Sequence, residues 1–248
     1  MERQVGILVL KELASRNTHN MVAETLLRES GCRSLLDIPC GRGAFTARMA
    51  EHGLAVTAAD CTQPDAPDAA RFVHANMDEA LPFADSQFDA IACIDGIEHI
   101  ERQFDFIREC RRVIADGGCI VISTPNISSL RSRARWLATG FHNKGKIPLD
   151  ETNPNPMHHI NLISFAELRY LLHTNRFEIV EVATNRVKGM NWLYAGLLPL
   201  AWLMTRWVFH KEARTKEERR ICSEVMRQMM SVPVLFGETL IVKARARG

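Results

Sequence analysis

Leu35-Leu36-Asp37-Ile38-Pro39-Cys40-Gly41-Arg42-Gly43 decides the fold. Leu35 to Ile38 is a short apolar run of the kind a doubly covered strand needs. Gly41 and Gly43 then remove side chains from the turn, so a ligand can approach the backbone. Residues 44–52 return to helical spacing through Phe45 and Met49 and stop at Gly53. The unit reads strand, glycine-rich turn, helix. In an open α/β sheet such a turn lies at the carboxyl edge, where ligands bind. A pyrophosphate fingerprint would need G-x-G-x-x-G. Here Asp37 places an anion at the end of the strand, which opposes a pyrophosphate and favours a cationic ligand.

The same alternation continues on both sides. Upstream, residues 5–29 carry helical spacing, with Val22, Leu26 and Leu27 predicted on one face and Gly31 as the stop. Downstream, strands are predicted at 54–59 (ending on Asp60), 71–75, 88–94, 119–123, 177–182 and 239–244. A helix over 103–115, with Phe104, Ile107 and Ile114 inward, stops at Gly117-Gly118. A second begins at a Ser164 cap with Glu167 three residues on. Near-continuous apolar strands alternating with helices imply a doubly wound, seven-stranded, mostly parallel α/β sheet. Residues 126–160 are rich in turn formers and read as irregular. Residues 185–232 exceed the hairpin needed between the last two strands and read as a helical insertion. The expected organisation is a helical cap over 1–30, a body over 31–184 plus 233–248, and the insertion at 185–232.

Composition narrows the function class. The 248 residues are 46% hydrophobic and 24% charged, ordinary for a globular protein. Thirty-one bases against 29 acids give a net charge of +2, too balanced to indicate a nucleic-acid partner. The excess basic charge is local. Residues 131–149 hold five bases and no acid, and 185–220 hold eight bases and three acids. Seven cysteines without C-x-x-C spacing argue against a disulfide framework or zinc ribbon. With no signal-peptide pattern after Met1, a cytoplasmic setting is expected.

Several segments carry a resemblance. Residues 35–43 resemble motif I, D-x-G-C-G-x-G, of the class I S-adenosylmethionine-dependent methyltransferases. Ala75-Asn76-Met77-Asp78-Glu79-Ala80-Leu81-Pro82-Phe83, followed by Ser86-Gln87-Phe88-Asp89, resembles that family's adenine-side segment. Ile94-Asp95-Gly96-Ile97-Glu98-His99-Ile100 resembles its E-x-x-E-H motif, as in the ubiquinone-type O-methyltransferases. Residues 119–141 are similar to methyltransferases of bacterial surface-polysaccharide clusters. The resemblance implies a Rossmann-like methyltransferase fold and S-adenosylmethionine as cofactor, with S-adenosylhomocysteine as product. It implies that Asp37 and the Pro39, Gly41 and Gly43 turn hold the methionine part, Asp60 the ribose, Asn76 and the Met77 amide the adenine, and that Ile94 lines the sulfonium pocket. Pro39 departs from the family's glycine and removes an N–H. Asn76 departs from its aspartate but keeps an acceptor oxygen.

The acceptor side is less determined. His159, His99 and Asp95 are the candidate catalytic residues, with His158 and Glu98 beside them. His159-Ile160-Asn161-Leu162-Ile163-Ser164-Phe165 resembles the H-x-x-x-[FIL] entry to a helix whose histidine faces the active site. Asp95, Glu98 and His99 have i, i+3, i+4 spacing, which would put them on one helical face. Relatives use such a trio for a divalent metal, and no metal is assigned here. The acceptor expected is a small, lipid-linked or nucleotide-linked hydroxyl compound. Residues 190–208, tryptophan-rich around an apolar run (192–205) of only 14 residues that is too short to span a bilayer and broken by Pro199, are candidates for a membrane surface, a partner subunit or the core. A donor-binding protein without catalysis and a nicotinamide-dependent oxidoreductase are the alternatives.

Overall fold

The computed structural model describes residues 12–63, 71–145 and 148–248. Its centre is a seven-stranded sheet in the order β3-β2-β1-β4-β5-β7-β6. The strands are β1 (Ser34–Asp37), β2 (Ala55–Asp60), β3 (Arg71–His74), β4 (Phe88–Ile94), β5 (Ile114–Pro125), β6 (Phe177–Thr184) and β7 (Thr239–Ala246). All neighbours are parallel except β7, which runs antiparallel to both β5 and β6. Strand order reverses between β1 and β4, so the crevice beyond their carboxyl ends is the natural ligand site.

Helices cover both faces. α1 (Thr18–Leu27), α2 (Ala44–Glu51), α3 (Gln103–Val113), α4 (Leu130–Thr139) and α5 (Phe165–Thr174) precede β6. α6 (Leu198–Glu212), α7 (Lys216–Met229) and the short α8 (Val232–Phe236) lie between β6 and β7. One core cluster includes Ile91, Ile122, Phe106, Ile107, Phe165 and Leu168. The opposite cluster joins Val22, Leu26, Phe45, Met49, Ala92 and Val121. Alternate residues of β4 enter each cluster, as the two-residue strand period requires. The capping box read at α5 is present. The Glu167 amide donates to Ser164 Oγ (3.3 Å) and the Ser164 amide to Glu167 Oε2 (2.8 Å).

Several elements differ from the sequence reading. The N-terminal helix covers only 18–27, and residues 1–11 lie outside the described residues. Leu27 is exposed, because α1 turns Thr18, His19, Val22, Ala23, Thr25 and Leu26 inward instead. In α3 the inward face is Phe106, Ile107, Cys110 and Val113, while Phe104 faces out, edge-on to Tyr170. β5 starts at Ile114 and passes through Gly117-Gly118 rather than after it. The register with β4 shifts there, and a side chain on Gly118 would meet the Asp89 carbonyl, so the glycines accommodate an irregularity. The segment 126–160 contains a full helix, α4, because Ser129 caps it (Ser132 amide to Ser129 Oγ, 3.3 Å) and Gly140 ends it in the left-handed region.

Candidate active site

The donor half is built by β1, β2 and the turn into α2. Asp37, at the end of β1, is buried. The Thr46 hydroxyl of α2 donates to its Oδ2 (2.5 Å), while Oδ1 has no hydrogen-bond partner among the described residues. Burial pushes the Asp37 carboxyl up to about 7, with the nearby Asp60 charge adding to the rise and the Thr46 bond opposing it. A buried acid with one unpaired oxygen is stabilised by a cation or donor placed against it. Gly41 and Gly43 both have positive φ, 53° and 82°, so the turn depends on glycine at these two points. Asp60 Oδ2 accepts the Gly41 amide (2.9 Å) and Oδ1 accepts the Thr62 amide (3.0 Å), tying the end of β2 to the turn. Oδ1 also accepts the Cys61 thiol (3.5 Å), while Oδ2 keeps a lone pair for a further donor.

Pro39 follows a cis peptide and packs against Gly96. A Cβ at Gly96 would lie 2.3 Å from Pro39 Cδ. The proline ring therefore occupies space that Gly96 vacates, locking the motif I turn to the loop after β4. Sequence reading placed Pro39 at the ligand, but did not foresee its contact with Gly96. Asn76 is exposed, its side chain bonded to the Asp78 amide and to Glu79 (3.0 Å each). Met77 is buried with its side chain in the core, which leaves its backbone for any ligand contact. Ile94, at the end of β4, is buried in the second core cluster.

The acceptor half is drawn from distant segments. Glu98 sits on a short 3-10 helix, Ile97–His99, and is fully buried. The Thr124 hydroxyl of β5 donates to its Oε2 (3.0 Å), and Oε1 has no partner among the described residues. Burial, with the Asp95 charge, pushes Glu98 up to about 8. The His99 and His159 rings meet edge to face, with centroids 4.8 Å apart. His99 Nδ1 lies 3.0 Å from the His158 carbonyl, which fits the tautomer with Nε2 unprotonated. Burial lowers both imidazoles below their usual value, so both are neutral near pH 7. One ligand atom from each of Glu98, His99 and His159 lies within 4.8 Å of the others, a group able to take a divalent cation.

Asp95 falls outside that group. It precedes the 3-10 helix with φ 46°, so no common helical turn joins it to Glu98 and His99. Its Oδ1 accepts from Ser123 Oγ (2.6 Å) and its Oδ2 from the Ser15 amide (3.4 Å). Lys144 bonds Ser15 Oγ (3.2 Å), and its charge acts on both Glu98 and His159. Thr46, Thr124, Ser123 and Lys144 carried no sequence signal, because each acts through a tertiary contact. A recess of about 120 Å³ follows the end of β5, lined in part by Asn126, Ser129, Arg131, Lys144, Lys188 and Asn191. Asn191 is buried and its Oδ1 is unpaired, an acceptor suited to a hydroxyl donor. A larger recess of about 600 Å³, lined by Glu12, Arg16, Asn17, Asn20, Arg48 and Arg186, contains none of the residues predicted for the site.

Residues 36–122 match the family model of a methyltransferase domain. The chain carries a class I S-adenosylmethionine-dependent methyltransferase domain. Over 167 residues it is 29% identical to a probable S-adenosylmethionine-dependent methyltransferase of Mycolicibacterium smegmatis, covering 65% of this chain and 58% of that protein. Over 132 residues it is 31% identical to a ubiquinone biosynthesis O-methyltransferase of Roseobacter denitrificans, covering 45% of this chain and 52% of that protein. The matched region thus spans about half the length of the ubiquinone-type relatives. The fold is shared with an S-adenosylmethionine-dependent methyltransferase of Archaeoglobus fulgidus at a TM-score of 0.56 and 19% identity, over 92% of each chain. The methyltransferase domain takes S-adenosylmethionine as its donor. The unpaired oxygen of Asp37 and the bare turn at Gly41 and Gly43 fit a ligand with a cationic amino-acid end.

Proposed function

We propose that this chain transfers a methyl group to the hydroxyl of a small, lipid-linked or nucleotide-linked acceptor, in the cytoplasm. When bound, S-adenosylmethionine supplies a sulfonium-activated methyl for in-line displacement and leaves as S-adenosylhomocysteine. The protein's contribution is alignment, which can supply ~7–11 kcal/mol, and proton removal from the acceptor. Asp37 faces the donor's ammonium, the Gly41–Gly43 backbone its carboxylate, Asp60 the ribose, and Asn76 with the Met77 amide the adenine. Pro39 keeps this turn fixed against Gly96, and Ile94 borders the sulfonium pocket.

The observation that carries the acceptor reading is the pair of neutral, half-buried imidazoles beside buried Glu98. A neutral imidazole can take a hydroxyl proton, a step worth ~10²–10⁴-fold. His159 is assigned as the base, and His99, held through its Nδ1, as the group that positions it. Asp95 orders the loop through Ser123. On this reading residues 31–184 and 233–248 form the catalytic body, 1–30 a cap, and 185–232 the acceptor-side addition.

The test is transfer of labelled methyl from S-adenosylmethionine into cell extract split into lipid, nucleotide-sugar and small-aromatic pools. Label is expected in one pool, as a methyl ether. Donor binding by calorimetry with no labelled product would favour a non-catalytic binder. Label recovered only in amines or at carbon would contradict hydroxyl transfer.

A further inference from the structure

α6 is unusual in this molecule because none of its residues is buried, although most are apolar. Its inward face, with Leu198 and Ala201, rests on a small cluster of Leu130, Leu235 and Phe236. Its outward face is apolar too. Leu197, Leu200, Met204 and Trp207 are all exposed and recur every three or four residues, so they share one side of the helix. Leu200 is 59% exposed and Trp207 57%. The preceding 3-10 helix, Gly189–Leu197, extends the surface with Trp192 and with Leu193, which is 81% exposed. A solvated monomer rarely leaves such an apolar surface uncovered without an interaction to serve.

Charge identifies the occupant. Residues 189–211 contain no acid, while Arg206, His210 and Lys211 lie along the helix. The Arg206 guanidinium lies over Trp202 and the Lys211 ammonium over Trp207, each 5.5 Å from the ring centre. Cations stacked on tryptophans at the border of an apolar stripe match the boundary of a bilayer, where rings meet headgroups and bases meet phosphates. A second copy of this face would bring the same bases together without an acid from this stretch to neutralise them. Fifteen residues of α6 rise about 22 Å, short of the ~30 Å hydrocarbon core, and no helix among the described residues is long and apolar enough to cross a membrane.

We infer that α6, with the 3-10 helix before it, lies in the plane of an anionic membrane surface and docks the protein there. This docking is independent of methyl transfer. The full chain should co-sediment with vesicles of phosphatidylglycerol in phosphatidylcholine at least about tenfold better than with phosphatidylcholine alone. Its tryptophan emission should move to the blue on binding. Salt near 1 M, where the screening length is ~3 Å, should weaken the preference for anionic lipid. Leu200→Glu with Met204→Glu should abolish binding. Arg206→Glu with Lys211→Glu, which removes no apolar contact with the body, should abolish the anionic preference and serves if the first pair does not fold. Equal recovery of wild type with and without vesicles would overturn the inference. So would wild-type binding by both variants, or a dimer in solution that covers these tryptophans and ignores vesicles.

Discussion

The two halves of the site are built differently. The proposed donor half starts from one short stretch, with Asp37, Pro39, Gly41, Gly43 and Thr46 inside ten residues, and Asp60, Asn76, Met77 and Ile94 join it in chain order at or just past the ends of β2, β3 and β4. The acceptor half gathers Glu98 and His99, Thr124, Lys144 and His159 from four separate segments. On the proposed assignment, backbone and a single buried acid serve a donor that does not vary. Side chains on loops serve a ligand that does, and loops can change without disturbing the sheet. Both halves contain a carboxyl group with one buried, unpaired oxygen, Asp37 Oδ1 and Glu98 Oε1. Each is poised for a partner that the described residues do not provide.

The largest effect is expected on the acceptor side. His159→Ala should lower kcat by ~10²–10⁴-fold and leave donor affinity unchanged within about twofold. Isothermal calorimetry with S-adenosylhomocysteine, run beside the activity assay, separates the two. A loss of affinity equal to the loss of rate would place His159 in the donor half. The smaller effect lies across the cleft. Asp60→Ala should weaken donor binding by ~1–3 kcal/mol, since it removes a charged acceptor and leaves the Gly41 amide without its partner. Unchanged affinity would remove Asp60 from the donor contacts.

The contrast also explains what the sequence revealed. Strand existence and the glycine turn were legible because local period and backbone chemistry determine them, whereas the ends of β5, β6 and β7 extend past the apolar runs that announced them. β4, from Phe88 to Ile94, is present as read, and the Ser164 capping box formed as its letters implied. Leu27 and Phe104 were misplaced because an apolar residue at helical spacing can lie just past the edge of the buried face. α4 was missed because its inward surface is small, only Leu130 and Ser132, so no apolar period announces it. At the site, Asp95 shared a spacing with Glu98 and His99 but not a helix turn. The left-handed backbone at Asp95 breaks the face that i, i+3, i+4 presumes. His159 joined the pair instead, from sixty residues away, through contacts that no spacing rule encodes.

Asp37 gives the central claim its most direct test, through the pH dependence of donor affinity. Its carboxyl, raised to about 7 by burial, must lose its proton to face the donor's ammonium. The association constant for S-adenosylhomocysteine should therefore rise up to about tenfold per pH unit from pH ~5 toward 7, and level off before the ligand's own ammonium is lost near ~8. Below pH 7 binding should release a proton, seen as a buffer-dependent heat. Asp37→Asn should bind weakly and with a flat profile over that range. Equal affinity at both ends of the range in wild type, or a full-strength site in Asp37→Asn, would contradict recognition of the donor by this buried acid.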